Sequence, residues 1–150
     1  VQDGPVPESA ITEQPRIQVE RLALPSGMAG FSQWAKGRWL IVLNASEPAV
    51  RQRFSMAHEY KHVLDSPFIG VLYPAQSGQS ADERAEQICD HFAACLLMPR
   101  AWVKRAWVEG VQDTKRLAYR FDVSPQAMET RLRLMGLTER QRGRHWAAVA

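Results

Sequence analysis

The stretch Phe54-Ser55-Met56-Ala57-His58-Glu59-Tyr60-Lys61-His62-Val63-Leu64 constrains this chain more than any other, because it sets two imidazoles and a carboxylate in the order His-Glu-x-x-His. Residues four apart on a helix lie above one another on one face, so His58 and His62 can aim ring nitrogens at a single ion. Glu59 is the next residue round. A carboxylate there need not ligate; it can take a proton from water that a metal has acidified. This division of labour is the one a zinc hydrolase needs.

A tetrahedral catalytic site requires a third protein ligand and an open position for water. The segment from Glu83 to Pro99 supplies candidates, since Glu86 and Asp90 stand four apart and share a helix face. One carboxylate can bind the ion while the other, a turn away, receives the free N–H of a ligating histidine and fixes its tautomer. Glu86 is therefore read as the ligand and Asp90 as the group that orients a histidine. Asp82 sits too near the helix start to compete, and Glu83 has no acid four residues later. His91 is turned about 100° from Asp90 and is expected to sit at a rim or to pack. His145 takes no role.

The residues around both helices carry a family resemblance. Gly30-Phe31-Ser32, Ile41-Val42-Leu43-Asn44, Arg51 through Glu59, and Glu86 through Phe92-Ala93-Ala94 to Leu96-Leu97-Met98-Pro99 occur in this order. Between about Gly30 and Pro99 the chain resembles the ImmA/IrrE family of metallo-endopeptidases. The resemblance implies a zincin-like core and a peptidase that cuts transcriptional repressors of prophages, mobile elements or stress regulons. Carried over position by position, it makes His58, His62 and Glu86 metal ligands and Glu59 the catalytic acid/base, and places Asp90 where the family often has Asn or Asp. The implied ion is zinc, with manganese or another divalent ion as the alternative. The implied partner is a helix-turn-helix repressor or an antitoxin-like regulator. Lys61 is a departure, since the inner positions of such motifs are normally uncharged.

At 150 residues, 45% of them hydrophobic, the chain has the material for one core. A net charge of +3 and a pI near 9.1 are compatible with nucleic acid without requiring it. Cys89 and Cys95 fall on one expected helix, about 9 Å apart along its axis, which rules out a disulfide between them while that helix is intact. They read as buried small hydrophobes of a reducing compartment. No run approaches the ~18 apolar residues of a membrane span, and the first residues do not resemble a signal peptide. The expected location is cytoplasmic, with no membrane partner.

Taken in order, residues 1–15 are expected to form a flexible arm, 16–110 the metallopeptidase core, 111–137 a C-terminal helical pair and 138–150 a basic tail. Ile17 to Leu22 alternates at period two and predicts a strand. Gly30 to Asn44 predicts a hairpin whose second strand, apolar from Trp39 to Leu43, is covered on both faces. An exposed edge of that sheet is where a substrate peptide can add itself as a strand. Ser46 and Pro48 carry helix-start chemistry for the His58 helix, with Ser46 as the N-cap, and Asp65-Ser66-Pro67 stops it. The apolar connection from Phe68 to Ser80 is expected to pack as a rim or lid, and its Tyr73 is a candidate donor to an oxyanion. In the second site helix, Ile88, Phe92, Cys95 and Leu96 are expected to form the apolar face. Arg100 to Glu109 predicts an amphipathic helix with Trp102 and Trp107 in the core, closed by Gly110. Thr114 to Leu137 predicts two short helices in a helix-turn-helix-like pattern, with Ser124 capping the second and Pro125 at its first position. The resulting fold class is α+β, a small antiparallel or mixed sheet packed on two ligand-bearing helices. Two rival readings stand beside the peptidase: a module that grips a regulator without cutting it, and a DNA-binding protein using Lys115, Arg116, Arg120, Arg131 and Arg133.

Overall fold

Period-two alternation and the apolar run after it become a three-stranded mixed sheet of β1 (Ile17–Leu22), β2 (Gly30–Ala35) and β3 (Arg38–Asn44), in the order β1-β3-β2. β3 takes the middle because its residues are apolar on both faces, and Ile41, Val42 and Leu43 are no more than 1% exposed. It runs parallel to β1, with Ile17 opposite Trp39, and antiparallel to β2, with Gly30 opposite Leu43 and Ala35 opposite Arg38. Lys36 and Gly37 alone connect the hairpin strands, with φ of 53° and 77°, the double left-handed turn that matches strand twist. Gly30 is dictated by proximity, since a Cβ there would stand 2.5 Å from the Val42 carbonyl oxygen.

The structure, a computed structural model, describes residues 4–68 and 80–137. The rim or lid expected over 69–79, with Tyr73, and the basic tail from Thr138, with His145, lie outside them. Within the stretch expected to be an arm without core residues, Ser9–Thr12 forms a one-turn helix, α1, against β1. Its Ile11 is 4% exposed, so this segment does contribute to a core.

Asn44 links the sheet to the helix that follows. Its buried amide accepts from Leu24 N and Ser46 N and donates to Met28 O, at 3.2, 3.0 and 2.8 Å. That commits Ser46 to the turn, and the N-cap expected at Ser46 falls instead at Pro48, whose carbonyl accepts from the N–H groups of Arg51 and Gln52. Helix α2 (Ala49–Asp65) then packs on β2 and β3, and a 3-10 turn over Ser66–Phe68 follows it.

Helix α3 (Ala81–Leu97) opens with a reciprocal cap: Glu83 N donates to Ser80 Oγ at 3.1 Å, and Ser80 N donates to the Glu83 carboxylate at 3.0 Å. Its buried face differs from the expected one. Ile88, Phe92, Cys95 and Leu96 are half-buried, while Ala85, Cys89, Ala93 and Leu97 form the fully buried row.

By their internal contacts the described residues divide into two compact units, those within Pro7–Leu96 on the one hand and residues 97–137 with 4–6 on the other. The first holds the sheet and the helices α1 to α3. The second holds α4 (Arg100–Val108), α5 (Thr114–Phe121) and α6 (Pro125–Leu134). Val103 and Ala106 are the buried residues of α4, whereas Trp102 and Trp107, expected in the core, are half-buried. Asp113 caps α5 through Arg116 N, and Ser124 caps α6 through Ala127 N, with Pro125 in the first turn as its fixed φ favours. Between them Asp122 sits at φ 55°, and α5 and α6 pack on each other. Arg131, counted among residues permitting DNA contact, is 7% exposed, and its Nε donates to the Met98 carbonyl at 3.1 Å. It closes a backbone acceptor just past the end of α3 instead of facing solvent. Among the described residues no helix is long and apolar enough to cross a membrane.

Candidate metal centre

Four-residue spacing on α2 does what the helix repeat dictates. The Nε2 atoms of His58 and His62 stand 3.1 Å apart, with ring centroids at 4.9 Å and planes at 62°. Glu86 reaches across from α3, its Oε2 lying 3.0 Å from His58 Nε2 and its Oε1 2.7 Å from His62 Nε2. Asp90, one turn on, places Oδ1 2.7 Å from His58 Nδ1. All four side chains named from the sequence as ligands or orienting group meet in one cluster.

The chemistry of that cluster points to a cation. An ionised Asp90 accepts the Nδ1–H of His58, which leaves a lone pair on its Nε2. That lone pair faces His62 Nε2 and a Glu86 carboxylate oxygen, and with His62 in the same tautomer the three are acceptors that a cation can bind together. Ligand atoms of a tetrahedral zinc ion with bonds of about 2.0–2.1 Å stand about 3.3 Å apart, slightly more than the 2.7–3.1 Å seen here. The two ring nitrogens are within a few tenths of an ångström of that spacing, and a small outward movement of Glu86 brings its carboxylate to the same range. With its side chain 60% exposed, Glu86 has room for that movement, while the two rings are held at 13% and 20%.

The sequence reading missed the position of Cys89. It shares a helix face with Glu86, three residues earlier, and that spacing was the available signal. Its Sγ belongs to a group with the imidazoles of His58 and His62 in which ligand atoms lie within 4.8 Å of one another. Two sets therefore offer a third donor, and distance separates them: Glu86 oxygens stand at hydrogen-bond range of both rings, whereas the fully buried Cys89 belongs to a set spread over as much as 4.8 Å. Burial, then the Glu86 carboxylate, with Asp65 and Glu59 adding, pushes the Cys89 thiol up to about 12, against a smaller opposite pull from Lys61. Cys95, expected to be buried, is half-exposed, and its Sγ lies 3.5 Å from Nε2 of the exposed His91.

Glu59 follows His58 on α2 and is half-buried. Lys61, the departure within the motif, is drawn into a separate contact: its Nζ lies 3.1 Å from Asp65 Oδ1 and 5.4 Å from the centre of the Phe92 ring. Asp65 is 6% exposed, so this cation balances a buried carboxylate. Glu83, weighed as a rival ligand, spends its carboxylate on the cap of its own helix.

Residues 12–133 match the model of the M78 peptidase family, described as the IrrE N-terminal-like domain. The chain belongs to that family. Among individual M78 relatives, it is 32% identical over 63 residues to the radiation response metalloprotease IrrE of Deinococcus radiodurans, covering 40% of this chain and 19% of that protein. The corresponding protein of Deinococcus deserti is 35% identical over 63 residues, covering 40% of this chain and 22% of the relative. This M78 chain thus spans about a fifth of the length of the curated relatives it matches. In fold it is similar to a Mycobacterium tuberculosis transcriptional regulator, with a TM-score of 0.65 at 19% identity, over 83% of this chain and 38% of that one. The ImmA/IrrE resemblance is thereby borne out, and the family and both relatives' names support a metallopeptidase.

Proposed function

We propose that this protein is a metal-dependent endopeptidase with a zincin-like core, in which His58, His62 and Glu86 hold a divalent ion, zinc in the first place, and Glu59 is the acid/base. The observation that carries the reading is the convergence of two helices on one point, where the Glu86 oxygens stand 3.0 and 2.7 Å from the Nε2 atoms of His58 and His62, themselves 3.1 Å apart. When bound, such an ion supplies a Lewis acid for the peptide carbonyl and lowers the pKa of water toward about 7.

The remaining work falls to the chain's own side chains. Asp90 holds His58 in the Nδ1–H tautomer and keeps its ring in place. Glu59 accepts a proton from the attacking water and returns it to the departing amine, so that the leaving group departs neutral. For the substrate, the supporting feature is β2, an edge strand of the sheet and the edge on which α2 packs. An extended peptide adding to β2 gains main-chain hydrogen bonds without needing a particular sequence. The family resemblance supplies the partner class, a helix-turn-helix repressor or an antitoxin-like regulator, cut under an inducing signal. In this reading α5 and α6 form a helix-turn-helix-like scaffold, and the setting is the cytoplasm, where two free cysteines persist as thiols.

The test is co-expression with the neighbouring regulator, with and without chelator, followed by intact mass of any fragments. Wild-type protein is expected to yield two fragments whose masses sum to the regulator plus one water. Glu59→Gln and chelated samples are expected to yield none. Fragments that persist at the same rate in Glu59→Gln would overturn the mechanism.

A further inference from the structure

The start of the sheet holds a second feature that the metal centre does not use. A concavity of about 350 Å3 is lined by Arg16, Ile17, Lys36, Gly37 and Arg38, three cations with no acid among them. Arg38 is aimed: its Nη1 donates to Gln18 Oε1 at 3.0 Å, and Gln18 Nε2 in turn donates to the Glu20 carboxylate at 2.8 Å. This fixes the guanidinium while leaving its other N–H groups uncommitted. Arg16 and Lys36 have neither an ion-pair nor a hydrogen-bond partner for their side chains among the described residues. The backbone N–H groups of Lys36 and Gly37 donate to no carbonyl of the described turns and loops.

The backbone at these cations is informative. Among the described residues only three non-glycine positions have positive φ, and two of them are Arg16 at 65° and Lys36 at 53°. The first position of this hairpin turn favours Asn or Gly, and any bulkier side chain there is sterically disfavoured. The chain therefore spends backbone strain to present two long cations at one concavity, beside a third that is already oriented. Like charges gathered in this way repel unless an anion joins them.

We propose that this concavity binds a phosphate group. A carboxylate engages one guanidinium fork, whereas a tetrahedral phosphate with up to two charges can use a fork, an ammonium and turn N–H groups at once. Free phosphate or a nucleotide and the phosphodiester of nucleic acid share that chemistry, and the mildly basic chain suits either. The site is independent of the metal centre and of the peptidase reading.

The experiment is a backbone-amide NMR titration of the full chain with inorganic phosphate, a nucleoside monophosphate and a short single-stranded oligonucleotide. Expected are shifts centred on Lys36, Gly37 and Arg38, with inorganic phosphate half-saturating at about 1 mM. Lys36→Asn and Arg16→Gly each remove a cation at a position where the new residue fits the backbone better. Each is expected to weaken binding about tenfold while thermal stability holds or rises, a separation that a misfolded variant cannot imitate. Tighter oligonucleotide binding that falls steeply with salt assigns the phosphate to nucleic acid, and equal response to all three probes assigns it to a small ligand. No shift at these amides with any probe, or unchanged affinity in the double variant, overturns the proposal.

Discussion

Two helix pairs in this chain bring opposite kinds of side chain together. Helices α5 and α6 pack with Leu117, Ala118, Phe121, Met128 and Leu132 at or below 2% exposure, and two of their polar residues, Asp113 and Ser124, cap helix ends. Helices α2 and α3 instead turn His58, His62, Glu86 and Asp90 toward one another. Fully burying a large apolar side chain stabilises a protein by about 1.5–3 kcal/mol. Helices α2 and α3 bury Met56, Ala57, Ala85, Cys89 and Ala93 in the core as well. The four convergent polar side chains add no such stabilisation, so they are arranged for something other than holding the fold. Changes in the first pair should cost stability and leave metal binding alone, and changes at these four side chains of the second should do the reverse.

The largest effect is expected at Glu59. Glu59→Gln should slow cleavage by about 10²- to 10⁴-fold, the usual contribution of a positioned acid/base, with metal stoichiometry and unfolding midpoint unchanged. His58→Ala should lose both the ion and the activity. Single-turnover cleavage of the regulator, with metal content measured on the same samples, separates the two. Loss of metal in Glu59→Gln would place Glu59 among the ligands and erase its distinct role.

Phe121→Ala probes the apolar pair at comparable magnitude. Phe121 is 0% exposed, so its truncation should cost about 3–5 kcal/mol in denaturant unfolding. Metal stoichiometry of the fraction still folded should stay as in wild type. A proportional fall in metal per folded molecule would show that the two helix pairs are coupled, and the contrast drawn above would dissolve.

This contrast also sorts what could be read from the sequence. Patterns with short-range causes were legible: the strand at Ile17–Leu22, the hairpin ending at Asn44, Ser124 with Pro125, and the four-residue spacings of His58 with His62 and of Glu86 with Asp90. Each follows from one helix or strand repeat acting over a few residues. What failed depended on a neighbour that the sequence does not name. The apolar arc of α3 is wide, and the choice between its Ile88-Phe92 side and its Ala85-Cys89-Ala93 side is made by packing partners that lie elsewhere in the chain. Ser46 has the chemistry of a cap, yet the helix begins only at Ala49, with Pro48 in the cap position. Arg131 looks like a surface cation until a carbonyl 33 residues away takes its Nε–H. Cys89 escaped notice beside the site because a small apolar-like residue carries no pattern of its own.

Asp90 tests the site pair at a smaller scale. Its carboxylate lies 2.7 Å from His58 Nδ1 and it is the fourth member of the cluster without touching Nε2 of either ring. Asp90→Asn should therefore weaken metal affinity by about 10- to 100-fold, because an amide accepts the ring N–H less strongly and can present the wrong atom. Competition with a chromophoric chelator measures this directly. Asp90→Glu should recover part of the affinity, and equal loss in both variants would mean that the residue only fills space.

The smallest effect belongs to the helix cap of α6, and it bears on the comparison because it is polar without being part of any site. Ser124 Oγ accepts from Ala127 N at 3.1 Å, satisfying one donor that the first turn of the helix would otherwise leave open. Ser124→Ala should cost about 1 kcal/mol of stability and Ser124→Asp close to nothing, since aspartate caps as well as serine and its charge suits the positive end of the helix. Chemical denaturation resolves a difference of that size, and metal affinity should be identical in all three proteins. A polar group whose removal changes stability alone is the counterpart of Asp90, whose removal should change affinity with little change in stability. If Ser124→Ala loosened the metal, polarity of residue type would say nothing about which helix pair serves chemistry, and only the direct contacts to His58 and His62 would remain as a guide.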